Sequence, residues 1–108
     1  MESQSALAKL SALSQETRLA IFRRLVRAGP AGESAGVIGE ALNTPAPTLS
    51  FHLKEMERAG LITQRRESRS LIYAAHYDGM RSLLAFLMED CCDGRPEICD
   101  FKIEACCA

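Results

Sequence analysis

Five cysteines stand in the last 18 residues of this 108-residue chain: Cys91, Cys92, Cys99, Cys106 and Cys107. A framework of structural disulfides would be spread through the fold to staple it, whereas clustered thiols point to metal binding or redox work. Cys91 and Cys92 are neighbours with Cα atoms about 3.8 Å apart. Disulfides prefer about 5.5–6 Å, so these two are not expected to pair with each other. Cys99 stands seven positions after Cys92, beyond a stretch that holds Gly94 and Pro96. Two adjacent thiolates and a third on a return segment suit a small, soft, three-coordinate ion. Trivalent arsenic or antimony takes three sulfurs in a pyramid and needs no fourth ligand. Other thiol chemistries stay open. They are a four-thiolate site for cadmium, lead or zinc that adds Cys106 or Cys107, a redox switch through a Cys99–Cys106 disulfide, and a buried apolar role for Cys91, which continues the stripe Met80, Leu84, Leu87. A thiol enzyme such as an arsenate reductase needs an activated cysteine in an anion-binding loop. No Gly-rich or Arg-lined loop surrounds these cysteines, so no catalytic activity is expected.

A second constellation lies upstream. The segment Ala46-Pro47-Thr48-Leu49-Ser50-Phe51-His52-Leu53-Lys54 reads as the start of a helix that follows a tight turn at Asn43-Thr44-Pro45. Thr48 and Ser50 carry short hydroxyls, His52 a longer ring donor, and Lys54 and Arg58 cations suited to phosphates. Arg65, Arg66 and Arg69 then gather around Glu67-Ser68-Arg69, the tip of an expected hairpin, where an anion is the natural partner. The formal net charge of −1 conceals an asymmetry: residues 1–77 carry ten Lys/Arg against seven Asp/Glu, and residues 78–108 carry three against seven. The basic charge therefore sits in the part that holds the hydroxyl-rich helix.

The elements that must position these groups follow from periodicity. Leu7, Leu10 and Leu13 predict a short helix over 5–13, and Leu19, Phe22, Leu25 and Val26 a helix over 15–28, capped by Ser14 and ended by Gly29-Pro30. Val37, Ile38 and Leu42 are expected to face inward from a helix over 34–42, and Leu49, Leu53 and Met56 from a helix over 46–59 closed by Gly60. Strands are expected over 61–66 and 70–75, and a last helix over 77–90 with Met80, Leu83, Leu84, Leu87 and Met88 on one stripe. The fold class is mainly α with a β-hairpin wing, a dimeric winged helix-turn-helix. Residues 1–92 form the DNA-binding and dimerisation domain and 93–108 a cysteine-containing C-terminal tail. In this order the second helix of the pair lies in the major groove, which makes Thr48, Ser50, His52, Lys54, Arg65, Arg66 and Arg69 the candidate DNA-binding residues.

Leu13-Ser14-Gln15-Glu16-Thr17-Arg18-Leu19-Ala20-Ile21, Pro47-Thr48-Leu49-Ser50-Phe51-His52-Leu53-Lys54, Ala59-Gly60-Leu61-Ile62 and the Arg-rich wing ending at Tyr73 together resemble the ArsR/SmtB family of metal-responsive repressors. The resemblance covers about residues 5–90. It implies an elongated homodimer whose first and last helices pair across a two-fold axis, bound to double-stranded operator DNA. Family members usually carry a glutamine near the start of the recognition helix, where this chain has Ala46, and a glycine in the wing turn, where it has Ser68. Their cysteine pair on the third helix is replaced by Gly36-Val37-Ile38-Gly39, and of the Asp and His pairs of their last-helix zinc site only Asp78 and His76 are near. A sensor in this chain must then use the C-terminal cysteines. The pattern Cys91-Cys92 followed by Cys99 is similar to a subgroup that responds to arsenite, which implies Cys91, Cys92 and Cys99 as the ligands of trivalent arsenic, or of antimonite, as inducer.

The bulk composition agrees with that reading. It is 47% apolar and 25% charged, ordinary for a globular domain. No apolar run approaches the ~18 residues of a membrane span, and Met1-Glu2-Ser3-Gln4 lacks the basic and apolar regions of a signal peptide, so a cytoplasmic location is expected. The stripes at Leu7, Leu10, Met80, Leu83, Leu84 and Leu87 exceed what one small core can bury, which favours a homodimer.

Overall fold

The structure, a computed structural model, describes residues 2–88. Positions 89–90 of the expected last helix, all five cysteines and the 93–108 tail lie outside the described residues. The elements run α1 (Ser3–Leu13), α2 (Glu16–Ala28), β1 (Glu33–Ser34), α3 (Ala35–Ala41), α4 (Ala46–Ala59), β2 (Ile62–Glu67), β3 (Ser70–Ala75) and α5 (Tyr77–Met88). The sheet is antiparallel in the order β1-β3-β2, so the hairpin expected from sequence gains a third, two-residue strand. Glu33 and Ser34 pair there with Tyr73 and Ile72. Gly32 makes this possible. It has φ +71, and a Cβ on it would lie 2.3 Å from the Tyr73 carbonyl oxygen.

The helices are set by local chemistry. α2 is capped by Gln15, whose Oε1 accepts from the Arg18 N–H at 2.8 Å. Ser14, the expected cap, instead donates to the Ser11 carbonyl and closes α1. One residue of displacement suffices for this, because the amide of Gln15 is long enough to fold back onto the first turn. α4 follows Pro45 at its N-cap, tolerates Pro47 in its first turn, and is closed by Gly60 with φ +84. Leu61 N–H then reaches the Met56 carbonyl at 3.0 Å, which turns the chain directly into β2.

Ile21, Leu25, Ile38, Leu53, Met56, Leu61 and Ile62 are fully buried, and Leu49, Phe22 and Tyr73 join them in one core. α4 buries the face that its apolar periodicity marks, whereas α2 buries Phe22 and Leu25 and leaves Leu19 and Val26 of its expected stripe exposed. Two further expected positions differ. Val37 is 47% exposed, since the seven-residue α3 buries only Ile38. Leu83 is 5% exposed, buried in the chain's own interior rather than left on the stripe beside Leu84 and Leu87. α5 packs on α1 and on the end of α4: a Cβ at Gly79 would lie 2.3 Å from the Gly60 carbonyl oxygen. Lys9 of α1 is buried in the same corner, its Nζ donating to Ser5 Oγ at 3.1 Å and standing beside Gly60. That places a cation against the negative end of α4.

Candidate nucleic-acid interface

α3, its turn and α4 form the helix pair. Gly39 lets the two helices close: a Cβ there would come within 3.1 Å of Leu49 Cδ2 and 3.2 Å of the Thr44 carbonyl oxygen. Asn43 adopts φ 52, Thr44 N–H bonds the Gly39 carbonyl at 2.9 Å, and Thr44 Oγ1 donates to the Leu42 carbonyl. Asparagine tolerates this left-handed backbone better than most residues. The turn leaves an open groove of about 390 Å³ between α3 and the first turn of α4, lined by Gly36, Asn43, Ala46 and Ser50 among others.

The buried side of α4 is Leu49, His52, Leu53 and Met56. Thr48, Ser50 and Lys54, all expected to face DNA, are exposed. Phe51, which sequence reasoning passed over, is 58% exposed. Its position was legible in the helical phase: it lies four residues after Pro47 and three before Lys54, opposite the apolar stripe.

His52 corrects the expectation. It is only 8% exposed and turns toward α2, where its Nδ1 lies 3.2 Å from an Arg18 guanidinium nitrogen. A guanidinium has no acceptor, so Nδ1 accepts and the neutral ring carries its proton on Nε2. Burial first, and the Arg18 charge second, lower its pKa from the ordinary histidine value. Arg18 is fixed in turn by its Nε, which donates to the Ala12 carbonyl at 2.8 Å. His52 therefore ties α4 to the ends of α1 and α2. At the edge of the outer face, just past Thr48, it lies close enough to Arg18 to be pulled inward.

The wing is β2, β3 and a two-residue loop, with Glu67 opposite Ser70. Ser68 supplies the positive φ of 55 that such a loop needs, in the place where a glycine is usual. Arg66 and Arg69 are exposed. Arg65 is exposed as well, but its guanidinium is engaged within the chain. It pairs with Glu67 at 3.0 Å and donates to the Pro30 and Ala31 carbonyls at 3.3 and 2.7 Å. It anchors β2 to the loop before β1, which the Arg24–Glu33 ion pair at 2.6 Å also steadies.

Among the described residues no group of three His, Cys, Asp or Glu side chains is arranged to hold a metal ion. His76 donates from Nδ1 to the Gly60 carbonyl at 2.9 Å, and Asp78 pairs with Arg81 at 2.8 Å. No helix among the described residues is long and apolar enough to cross a membrane. What the site offers is an exposed helix face of hydroxyls, one aromatic ring and cations, beside a wing that carries arginines. That is the chemistry of DNA recognition.

A helix-turn-helix domain model matches residues 13–65, the span from the end of α1 into β2. The chain is 37% identical over 78 residues to the uncharacterized HTH-type transcriptional regulator YceK of Bacillus subtilis (strain 168), covering 72% of this chain and 77% of that one. Its fold is similar to that of an ArsR-like transcriptional regulator from Rhodococcus sp. RHA1, with a TM-score of 0.69 and 25% identity over 78% of this chain and 76% of that one. It is similar too to a homodimeric winged helix-turn-helix DNA-binding domain from Mycobacterium bovis, with a TM-score of 0.66 and 22% identity over 79% and 77% of the two chains. The chain belongs to the HTH-type transcriptional regulators, and its winged fold is similar to that of ArsR-like regulators.

Proposed function

We propose that this regulator is an arsenite-responsive repressor. In its apo form it binds operator DNA as a homodimer in the cytoplasm, and trivalent arsenic or antimony bound by Cys91, Cys92 and Cys99 releases it. The observation that carries the reading is the gathering of all five cysteines into the last 18 residues, directly after α5. The donor set is three soft thiolates, which fits a soft trivalent acceptor.

Two further observations support it. α5 packs against both α1 and the capped end of α4, with Gly79 against Gly60, so a change at the far end of α5 has a short route to the recognition helix. Leu7, Leu10, Leu84 and Leu87 remain exposed on α1 and α5, an apolar surface that a two-fold partner would cover, and the Mycobacterium bovis domain of similar fold is homodimeric. By linkage, an inducer that weakens DNA binding is itself bound more weakly by the DNA complex, with a typical coupling of about 1–3 kcal/mol, or roughly 5–150-fold.

Titration of the DNA complex with arsenite, antimonite, cadmium, lead, zinc and peroxide, reading release each time, tests the reading. Release by arsenite and antimonite at the lowest concentrations is expected. Release by cadmium, lead or zinc alone would point to a four-thiolate site, and release by peroxide alone to a thiol-redox switch.

A further inference from the structure

We propose that Phe51 reads a thymine methyl group in the major groove and sets part of the operator sequence; this rests on the DNA-binding reading of α4. Pro47, Phe51, Lys54 and Arg58 follow one another at helical spacing, and all four are exposed. Phe51 is thus an apolar ring in the middle of a polar, cationic face, with Thr48 and Ser50 to either side. The core does not use it, because the opposite stripe of Leu49, Leu53 and Met56 already fills the interior.

The ring is also braced. It meets His52 edge-on, with centroids 5.7 Å apart and planes at 61°, an arrangement favoured by aromatic quadrupoles. His52 is held by Arg18, and Arg18 by the Ala12 carbonyl. His52 is thereby a positioning residue: it contacts no base but fixes the side chain that does. The cations beside the ring identify the partner as a polyanion. Of the groups that base pairs present in the major groove, the C5-methyl of thymine is the apolar one.

The test uses the reduced full-length protein and a duplex selected by it from a random-sequence pool. Each thymine of that duplex is replaced in turn by deoxyuridine, which removes the methyl group and leaves base pairing intact. For the wild type, one or two replacements per half-site should weaken binding roughly fourfold, the worth of burying one methyl-sized group. Phe51→Ala should bind the thymine and uracil duplexes equally, and Phe51→Leu should keep part of the discrimination. Thermal unfolding matching the wild type shows that these exposed-site variants are folded. Wild-type indifference to every replacement, or full methyl discrimination by Phe51→Ala, overturns the proposal while leaving the DNA-binding reading intact. Failure of the wild type to select any duplex overturns both.

Discussion

Arg18 of α2 stands 3.2 Å from the Nδ1 of His52, and that contact joins the recognition helix to the body of the domain. It explains why a histidine in a helix otherwise rich in outward polar groups is buried. His52 serves the helix's placement, and its neighbour Phe51 occupies the outer face.

One consequence is a dependence of stability on pH. The folded state holds His52 below its ordinary value of 6.5, so between that value and the folded one the unfolded chain binds more protons than the folded chain. Stability from this group is therefore present above about pH 6.5 and is lost as pH falls below it toward the folded value. The melting temperature should drop from pH 7 to pH 5, and His52→Gln should flatten that part of the profile. His52→Ala should cost about 1–3 kcal/mol through the partner that Arg18 loses. A wild-type melting temperature that rises on acidification over this range would contradict the assignment.

The glycines of α3 and α5 should respond in opposite directions. Gly79→Ala drives a methyl group into the Gly60 carbonyl, which belongs to the backbone and cannot swing away, so a loss of about 3 kcal/mol is expected, the upper end of ordinary overpacking. Gly36 has nothing within 4 Å of the position its Cβ would take and lies inside α3. Gly36→Ala should therefore gain up to ~1 kcal/mol from helix propensity. Chemical denaturation of the two variants beside the wild type measures both.

The wing arginines should separate as well. Arg65 braces the loop at Pro30 and Ala31, so Arg65→Ala should lower the melting temperature. Arg66 is exposed. Its replacement by alanine should leave stability within about 0.5 kcal/mol, weaken binding to all sequences alike, and reduce the salt slope of binding by about one. Binding measured over a range of salt concentrations, with thermal unfolding alongside, distinguishes the two roles.

The apolar surface of α1 and α5 provides another test. Leu7 is 63% exposed and Leu87 48%, and a charge at either costs little in an isolated chain. Leu87→Glu should therefore keep the fold by circular dichroism while shifting the wild-type dimer to monomer in sedimentation at micromolar concentration. A wild type that sediments as a monomer there would contradict the homodimer.

Much of the fold was legible in the sequence because its signals are local. Leu49, Leu53 and Met56 recur at helical spacing, Gly29-Pro30 and Gly60 stop helices, and the Leu71-Ile72-Tyr73 run follows the polar tip at Glu67-Ser68-Arg69. What escaped depends on distant partners. β1 is two residues long and exists only because Gly32 lets it approach Tyr73. Leu83 and Leu84 are indistinguishable by type, and only the packing of α5 on the domain decides which is inside. At the candidate site, Thr48, Ser50 and Lys54 followed from helical phase, whereas the inward turn of His52 and the engagement of Arg65 were set by Arg18 and by two loop carbonyls far away in sequence. Phe51 was the reverse case, since its outward phase was readable while its apolar side chain was given no role beside the hydroxyls and cations.

Inducer release measured on cysteine variants of the full-length, reduced protein decides whether arsenite is the signal. Arsenite should lower the operator affinity of the wild type by roughly 5–150-fold. Cys91→Ser, Cys92→Ser and Cys99→Ser should each bind the operator as the wild type does in the absence of arsenite and fail to release it when arsenite is added. The Cys106→Ser, Cys107→Ser double variant should still release. Loss of response in that double variant with retention in Cys99→Ser would assign the third ligand to the end of the tail. Wild-type operator binding that arsenite leaves unchanged, or normal release by all three single variants, would contradict the account.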